Sequence, residues 1–198
     1  MDTQQIFTIA MFTTIMCLSP GPNNLMVAAS GANHGFRKTI PHILGIMLGC
    51  FILFSAVAAG LGGVFTTFPT LQIVLKIISS VFLLYIAYKI AFGHNSSNKL
   101  SESKLIRFHE AFLFQLINPK AWAGCITAVS TFTSQGESYS ESAIIMVGLY
   151  MLILLPSISI WTYLGIKVQA YLRTTTNNIK INYVLGGLIA LCVITVAL

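Results

Sequence analysis

Charge is what this 198-residue chain has least of. Only 8% of its residues are Asp, Glu, Lys or Arg, against 56% hydrophobic, and its mean hydropathy is +0.82. Soluble domains carry about 25% charged residues, so a surface of this composition cannot be solvated all round. That excludes a soluble globular enzyme and leaves a polytopic membrane protein. The net charge of +6 is then no sign of nucleic-acid binding, because in a membrane protein the position of the cations is what informs. The four cysteines, Cys17, Cys50, Cys125 and Cys192, all lie in apolar runs. They show no CxxC and no metal-ligand spacing. They read as small buried hydrophobes, and no metal or cofactor is implied. No Lys or Arg precedes the first apolar run, and Pro-Gly-Pro interrupts it. A cleaved signal peptide is therefore not expected, although Ala28-Ala29-Ser30 has the small residues of a cleavage site; the first span should be retained.

A spanning helix needs about 20 predominantly apolar residues. Six segments qualify, at about 5–30, 39–62, 71–92, 108–131, 142–166 and 181–198. Breakers fall between them, at Asn33-His34-Gly35, at Thr66-Thr67-Phe68-Pro69 and around Gly136. The expected fold is all-α, a single transmembrane domain over 1–198. Its first repeat covers about 1–93 and its second about 108–198. A polar, flexible loop over about 94–107 joins them. Nine of the eleven Lys and Arg residues fall on alternate loops or their flanks. These are Arg37 and Lys38; Lys89, Lys99, Lys104 and Arg107; Lys167, Arg173 and Lys180. The intervening loops have none, and one of them carries Glu137 and Glu141. The positive-inside rule then puts loops 1–2, 3–4 and 5–6 in the cytoplasm and both termini outside.

No Asp or Glu lies within the interior of any span. Glu110 is the nearest, at the start of span four. Spans one and four carry other polar material. Span one contains Ser19-Pro20-Gly21-Pro22-Asn23-Asn24, and span four contains Asn118-Pro119-Lys120. Proline lacks an N–H and clashes with the preceding turn, so both helices must break. In lipid such a break is tolerated where it is buried in protein or lines a polar cavity. Pro119 follows Pro22 by about half the chain, each in the first span of a three-span half. Three spans is an odd number, so the halves have opposite orientations. Interrupted helices in corresponding positions of two inverted halves point to a transporter site.

The chemistry at the breaks suits a zwitterion. Asn is a strong N-cap and Pro is favoured at the first helical position. Asn118-Pro119 therefore starts a half-helix running through Trp122 to Thr131, and Pro22-Asn23-Asn24 starts another from Leu25 to about Ser30. Each start offers unpaired N–H groups at the positive end of a helix dipole, a place where carboxylates bind. Lys120 adds a full charge, and an intramembrane Lys is a functional-site hypothesis by default. The expected substrate-binding set is Pro20, Gly21, Pro22, Asn23, Asn24, Asn118, Pro119, Lys120 and Trp122, with Trp122 walling the pocket. Plainer alternatives are a pair of self-capped packing kinks, and a Lys120 that pairs with Glu110 or reaches the interface. His42, at the start of span two, is a weaker candidate for a proton carrier, which stays unassigned.

With these motifs the chain resembles the LysE/RhtB superfamily of bacterial amino-acid exporters over nearly its whole length. The family's PGP motif is matched by Ser19-Pro20-Gly21-Pro22-Asn23-Asn24. Its G-x-R loop is matched by Gly35-Phe36-Arg37-Lys38, leading into Gly45-Ile46-Met47-Leu48-Gly49. Span three is similar from Leu75-Lys76 through Leu83-Leu84-Tyr85 to Lys89, and the N-P-K motif is Asn118-Pro119-Lys120. The resemblance implies a transporter rather than an enzyme. It would export small amino acids or their derivatives across the bacterial inner membrane by proton antiport. Pro-Gly-Pro-Asn-Asn with His34-Gly35-Phe36-Arg37 looks most like the cysteine/O-acetylserine exporters, with homoserine, threonine and leucine as related substrates. The implied partners are the amino acid, protons and the lipid bilayer, not nucleic acid, and a homodimer is compatible with the plan. The chain departs from the pattern at Asn23, where many members have Asp. It departs in span five at Pro156-Ser157-Ile158-Ser159, where many carry an acid, and at Ser79-Ser80, where Gly-Ala is common. A neutral residue at 23 argues against dibasic substrates. Two rivals stand beside this reading: a thiol–disulfide oxidoreductase of the DsbD/CcdA type using Cys17 and Cys125, which shares a related six-span plan, and a passive channel or membrane scaffold.

Overall fold

The computed structural model describes residues 2–92, 105–134, 136–173 and 178–197, without the side chains of 65, 172–173, 178–181 and 195–197. Most of the polar stretch expected as a loop, with Lys99 and Lys104, lies outside these residues, as do the side chains of Arg173 and Lys180. Every regular element among the described residues is helical. The helices are α1 (Thr3–Leu18), α2 (Pro22–Ala56), α3 (Gly62–Thr67), α4 (Pro69–Phe92), α5 (Phe108–Ile117), α6 (Pro119–Phe132), α7 (Tyr139–Arg173) and α8 (Asn178–Ala197).

Local sequence accounts for the ends. Asp2 caps α1, accepting from the Gln5 N–H at 2.7 Å, while the Gln5 side chain accepts from the Asp2 N–H at 3.1 Å. Ser19-Pro20 then stops the helix, and Pro22 restarts it as its first residue. α2 is two rods joined at Gly35, whose φ of 75° suits glycine; the Thr39 hydroxyl donates to the Gly35 carbonyl at 2.8 Å. The boundary expected between spans one and two is therefore a sharp bend inside a nearly continuous helical stretch. A π-helical turn, Val57–Leu61, follows α2, with Gly60 at φ 104°. The freed Ala58 carbonyl accepts from the Tyr139 hydroxyl at 2.5 Å. Sequence patterning gave no sign of this turn, which interrupts the second expected span near its end.

Pro22–Val64, Pro69–Phe92 and Gly136–Tyr171 are long and apolar enough to cross a membrane; Thr3–Leu18, Phe108–Ile117 and Asn182–Ile194 are shorter apolar helices. Their outer faces carry large exposed hydrophobics such as Phe7, Ile77, Val81, Ile144 and Leu152. So much exposed apolar surface suits lipid rather than water. With no hydrophobic drive between helices in lipid, close backbone approach has to hold them. Gly31 lies under the Thr162 carbonyl and Gly165 under the Ala28 carbonyl, so α2 and α7 touch through both glycines. Gly45 and Gly49 do the same against Phe108 and Gln115 of α5, and Gly186 against Ala87 of α4. The buried core is then filled by Met26, Ile46, Phe54, Leu83, Phe114 and Met146. Phe82 stacks on Phe114 at 5.2 Å, and Phe54 lies 4.1 Å from Tyr150 between ring centroids.

Candidate functional site

The two broken helices cross each other at their breaks. Met16 packs on Gly124, the Ser19 hydroxyl meets Lys120, and Asn23 meets Gln115. As residue number rises on one strand it falls on the other, so the two pass antiparallel.

Lys120 joins the breaks. Its Nζ donates to Ser19 Oγ at 2.8 Å and to the Pro20 carbonyl at 3.1 Å, with the Ser19 carbonyl at 3.5 Å. Ser19 Oγ in turn donates to the Met16 carbonyl at 2.8 Å. All these acceptors are neutral. Glu110, the acid expected as a rival partner, is held instead by Lys89, at 2.9 and 3.1 Å. Gly21 lies beside Lys120: a Cβ there would stand 2.7 Å from Nζ and push the lysine aside. The Asn118 side chain caps α6, accepting from the Lys120 N–H at 3.1 Å. The cap of α2 is Gly21, which supplies no side-chain oxygen to the first turn.

The asparagines act differently from each other. Asn24 donates to the Cys17 and Ser19 carbonyls at 2.7 and 2.9 Å, tying the end of α1 to the start of α2. Asn23 reaches across to α5. Its Nδ2 donates to Gln115 Oε1 at 2.6 Å, and Gln115 Nε2 donates back to Asn23 Oδ1 at 2.9 Å. Gln115 is fully buried, also donates to the Ala111 carbonyl at 2.9 Å, and accepts from Cys50 Sγ at 3.5 Å. Trp122 donates its indole N–H to the Leu116 carbonyl at 2.8 Å, bridging the α5/α6 break. It lies outside the cavity lining. Trp161 of α7 donates to the Leu18 carbonyl at 3.2 Å, at the other break.

A cavity of about 50 Å³ sits in the crossing, bordered by Gly21, Pro22, Asn23, Asn24, Asn118 and Lys120 on one side and by Met16, Cys17, Cys50, Tyr150, Leu154 and Ile158 on the other. Tyr150, Cys17 and Cys50 border the same cavity. No disulfide is formed among the described cysteines. One water needs roughly 10–15 Å³ by this kind of measure, so the cavity has room for only a few. α6 then continues from Ala121 past buried Cys125 to a larger groove of about 440 Å³, at the π-helical turn, lined by Gly62, Thr66, Val129, Ser130, Thr133 and Tyr139.

Sequence reasoning missed Gln115, Cys50 and Tyr150 as neighbours of the breaks. Gln115 had a signal: it is a lone amide in an apolar run. Cys50 and Tyr150 had none, since the packing of α2 and α7 brings them in.

Apolar helices that break beside each other around a small cavity are those of a helical membrane protein, and interrupted helices of this kind are a pointer to a transporter site. The sequence profile of the LysE type translocator family matches residues 14–198, and the chain belongs to that family. Among curated relatives, it is 32% identical over 122 residues to the cysteine/O-acetylserine efflux protein of Salmonella paratyphi A, covering 61% of this chain. That match spans only 62% of the length of the Salmonella protein. It is 27% identical to the cysteine/O-acetylserine efflux protein of Escherichia coli K12 over 187 residues, 93% of each chain. No solved structure matches the chain.

Proposed function

We propose that this protein is a secondary transporter of the bacterial inner membrane that exports a small neutral amino acid or derivative, in the range of cysteine and O-acetylserine, in exchange for protons. The single observation that supports this most is the Lys120 bridge across two helix breaks, beside an uncapped helix start. The substrate carboxylate docks at the first turn of α2, where N–H groups lack a side-chain cap and the dipole is positive. Pro20, Gly21, Pro22, Asn23, Asn24, Asn118, Pro119 and Lys120 form this site; Trp122 supports it by holding the second break. The Asn23–Gln115 pair sets its width. The antiparallel crossing suits two inverted three-span repeats, with the termini on the periplasmic side as the cation pattern requires. The neutral Asn23 fits a zwitterion better than a dibasic substrate.

Purified protein in liposomes with an imposed pH gradient tests this reading. Uptake of labelled cysteine or O-acetylserine should follow the gradient and collapse with an uncoupler. Lys120→Ala and Asn23→Ala should lose transport while still inserting. Normal transport by both variants, or uptake indifferent to the uncoupler, refutes the reading. The thiols gathered near the site keep the oxidoreductase alternative in view. Transport that survives Cys17→Ala/Cys125→Ala removes it.

A further inference from the structure

We infer that the carbonyl end of α1 is an ammonium-binding subsite, and that the Lys120 side chain occupies it until the amine of a substrate takes its place. This deepens the reading above and rests on it for the identity of the substrate.

The last carbonyls of a helix lack intrahelical partners and form the negative end of its dipole. At the end of α1 most are already claimed. Leu18 O takes the Trp161 indole, and Cys17 O and Ser19 O take the Asn24 amide. Just past the helix, Ser19 Oγ and Pro20 O hold an ammonium, that of Lys120, with Ser19 O at 3.5 Å. The subsite is thus seen filled, by the functional group common to every primary amino acid.

The filled cradle also accounts for the small cavity. About 50 Å³ of free space lies beside Nζ, far below the roughly 300 Å³ at which ligand pockets begin. An amino acid can enter only if a side chain leaves. Lys120 is the group whose departure frees both space and matching hydrogen-bond acceptors. A zwitterion brings the replacement ammonium. Its carboxylate gives the displaced Lys120 a new, charged partner next to the first turn of α2. At rest the Lys120 ammonium is held by neutral acceptors alone, and the substrate carboxylate would be its first opposite charge.

Displacement has a mechanical result. The Lys120 bonds to Ser19 and Pro20 are a direct tie between the first break and the second. Substrate binding cuts that tie and transfers Lys120 to the substrate, which leaves the Asn23–Gln115 pair as the remaining side-chain tie between the two broken helices.

The test uses full-length protein in lipid nanodiscs and n-propylammonium as the probe, read by the fluorescence of Trp122 and Trp161. Lys120→Ala should bind n-propylammonium saturably and about tenfold or more tighter than the wild type, whose cradle is full. Tetramethylammonium, which has no N–H to donate, should not bind. Equal binding by wild type and variant, or binding of both cations by the variant, overturns the subsite. A second measurement needs no variant. In wild-type liposomes, cysteamine (amine without carboxylate) should inhibit cysteine transport about tenfold better than N-acetylcysteine (carboxylate without amine). The reverse order overturns the subsite even if Lys120→Ala fails to fold. A wild type that moves no neutral amino acid, together with saturable n-propylammonium binding by Lys120→Ala, sinks the transport reading and keeps the subsite.

Discussion

Gln115→Leu isolates the amide pair that fastens the two broken helices side by side. Gln115 and Leu are close in volume, so the substitution removes polar atoms without leaving a large hole. Two reciprocal bonds to Asn23 are lost, at 2.6 and 2.9 Å, along with the bond to Ala111 O. Side-chain hydrogen bonds within membrane proteins average about 0.6 kcal/mol and reach about 1.7. The pair therefore contributes about 1–3 kcal/mol. Asn23 borders the cavity and regains water on that side, which limits the loss to about 1–2 kcal/mol. For a chain of this size that lowers Tm by about 2–8 °C. The assay is thermal unfolding in detergent, followed by tryptophan fluorescence, on Gln115→Leu, Asn23→Ala and the double variant. The two side chains are each other's partners, so the double variant should lose less than the sum of the singles, by about 1 kcal/mol. Losses that add within about 0.3 kcal/mol show that Asn23 and Gln115 act independently, and refute the proposed fastening.

Other substitutions probe the packing. Gly31→Ala and Gly165→Ala drive a Cβ to 2.3 Å from Thr162 O and 2.0 Å from Ala28 O, so each should destabilise by about 1–3 kcal/mol. Gly148→Ala, in the same α7 with nothing within 4 Å, should be neutral or slightly stabilising by helix propensity; equal losses at all three positions, read as melting temperatures, argue against the close contact. Glu110→Gln leaves Lys89 without its carboxylate in a pair whose side chains are only 9% and 15% exposed, a loss of about 2–3 kcal/mol. Adding Lys89→Met should recover at least half of it, and a double variant no more stable than the single contradicts the pairing.

Much of the local structure was legible because it follows from short-range chemistry. Single prolines sit inside α2 at Pro41 and α7 at Pro156, so what marks the breaks locally is the Pro20-Gly21-Pro22 cluster and the Asn118 cap set directly before Pro119. The Asn118 cap is equally local, spanning two residues. The Gly35 bend and the Phe68-Pro69 break sit where breakers were read. The partners were not legible. Lys120 had Glu110 ten residues away on its own span, yet it bonds Ser19 and Pro20, about a hundred residues distant. Glu110 went to Lys89 because both lie where α4 ends and α5 begins, a proximity set by how α4 and α5 pack. Trp122 lies two residues past Lys120 in sequence, and its indole donates to the Leu116 carbonyl across the α5/α6 break. The π-helical turn at 57–61 has no sequence signature beyond Gly60.

Sequence alone determined the class, the apolar segments, the breaks and the charge asymmetry, because each depends on composition or on residues a few positions apart. Tertiary structure alone decided which groups meet where the two breaks come together: that Lys120 bonds Ser19 and Pro20, that Asn23 faces Gln115, and that Cys17, Cys50 and Tyr150 border the same cavity. Those outcomes depend on how far small residues such as Gly21, Gly31 and Gly49 let helices approach. That distance is a property of whole packed faces, which no stretch of a single strand encodes by itself.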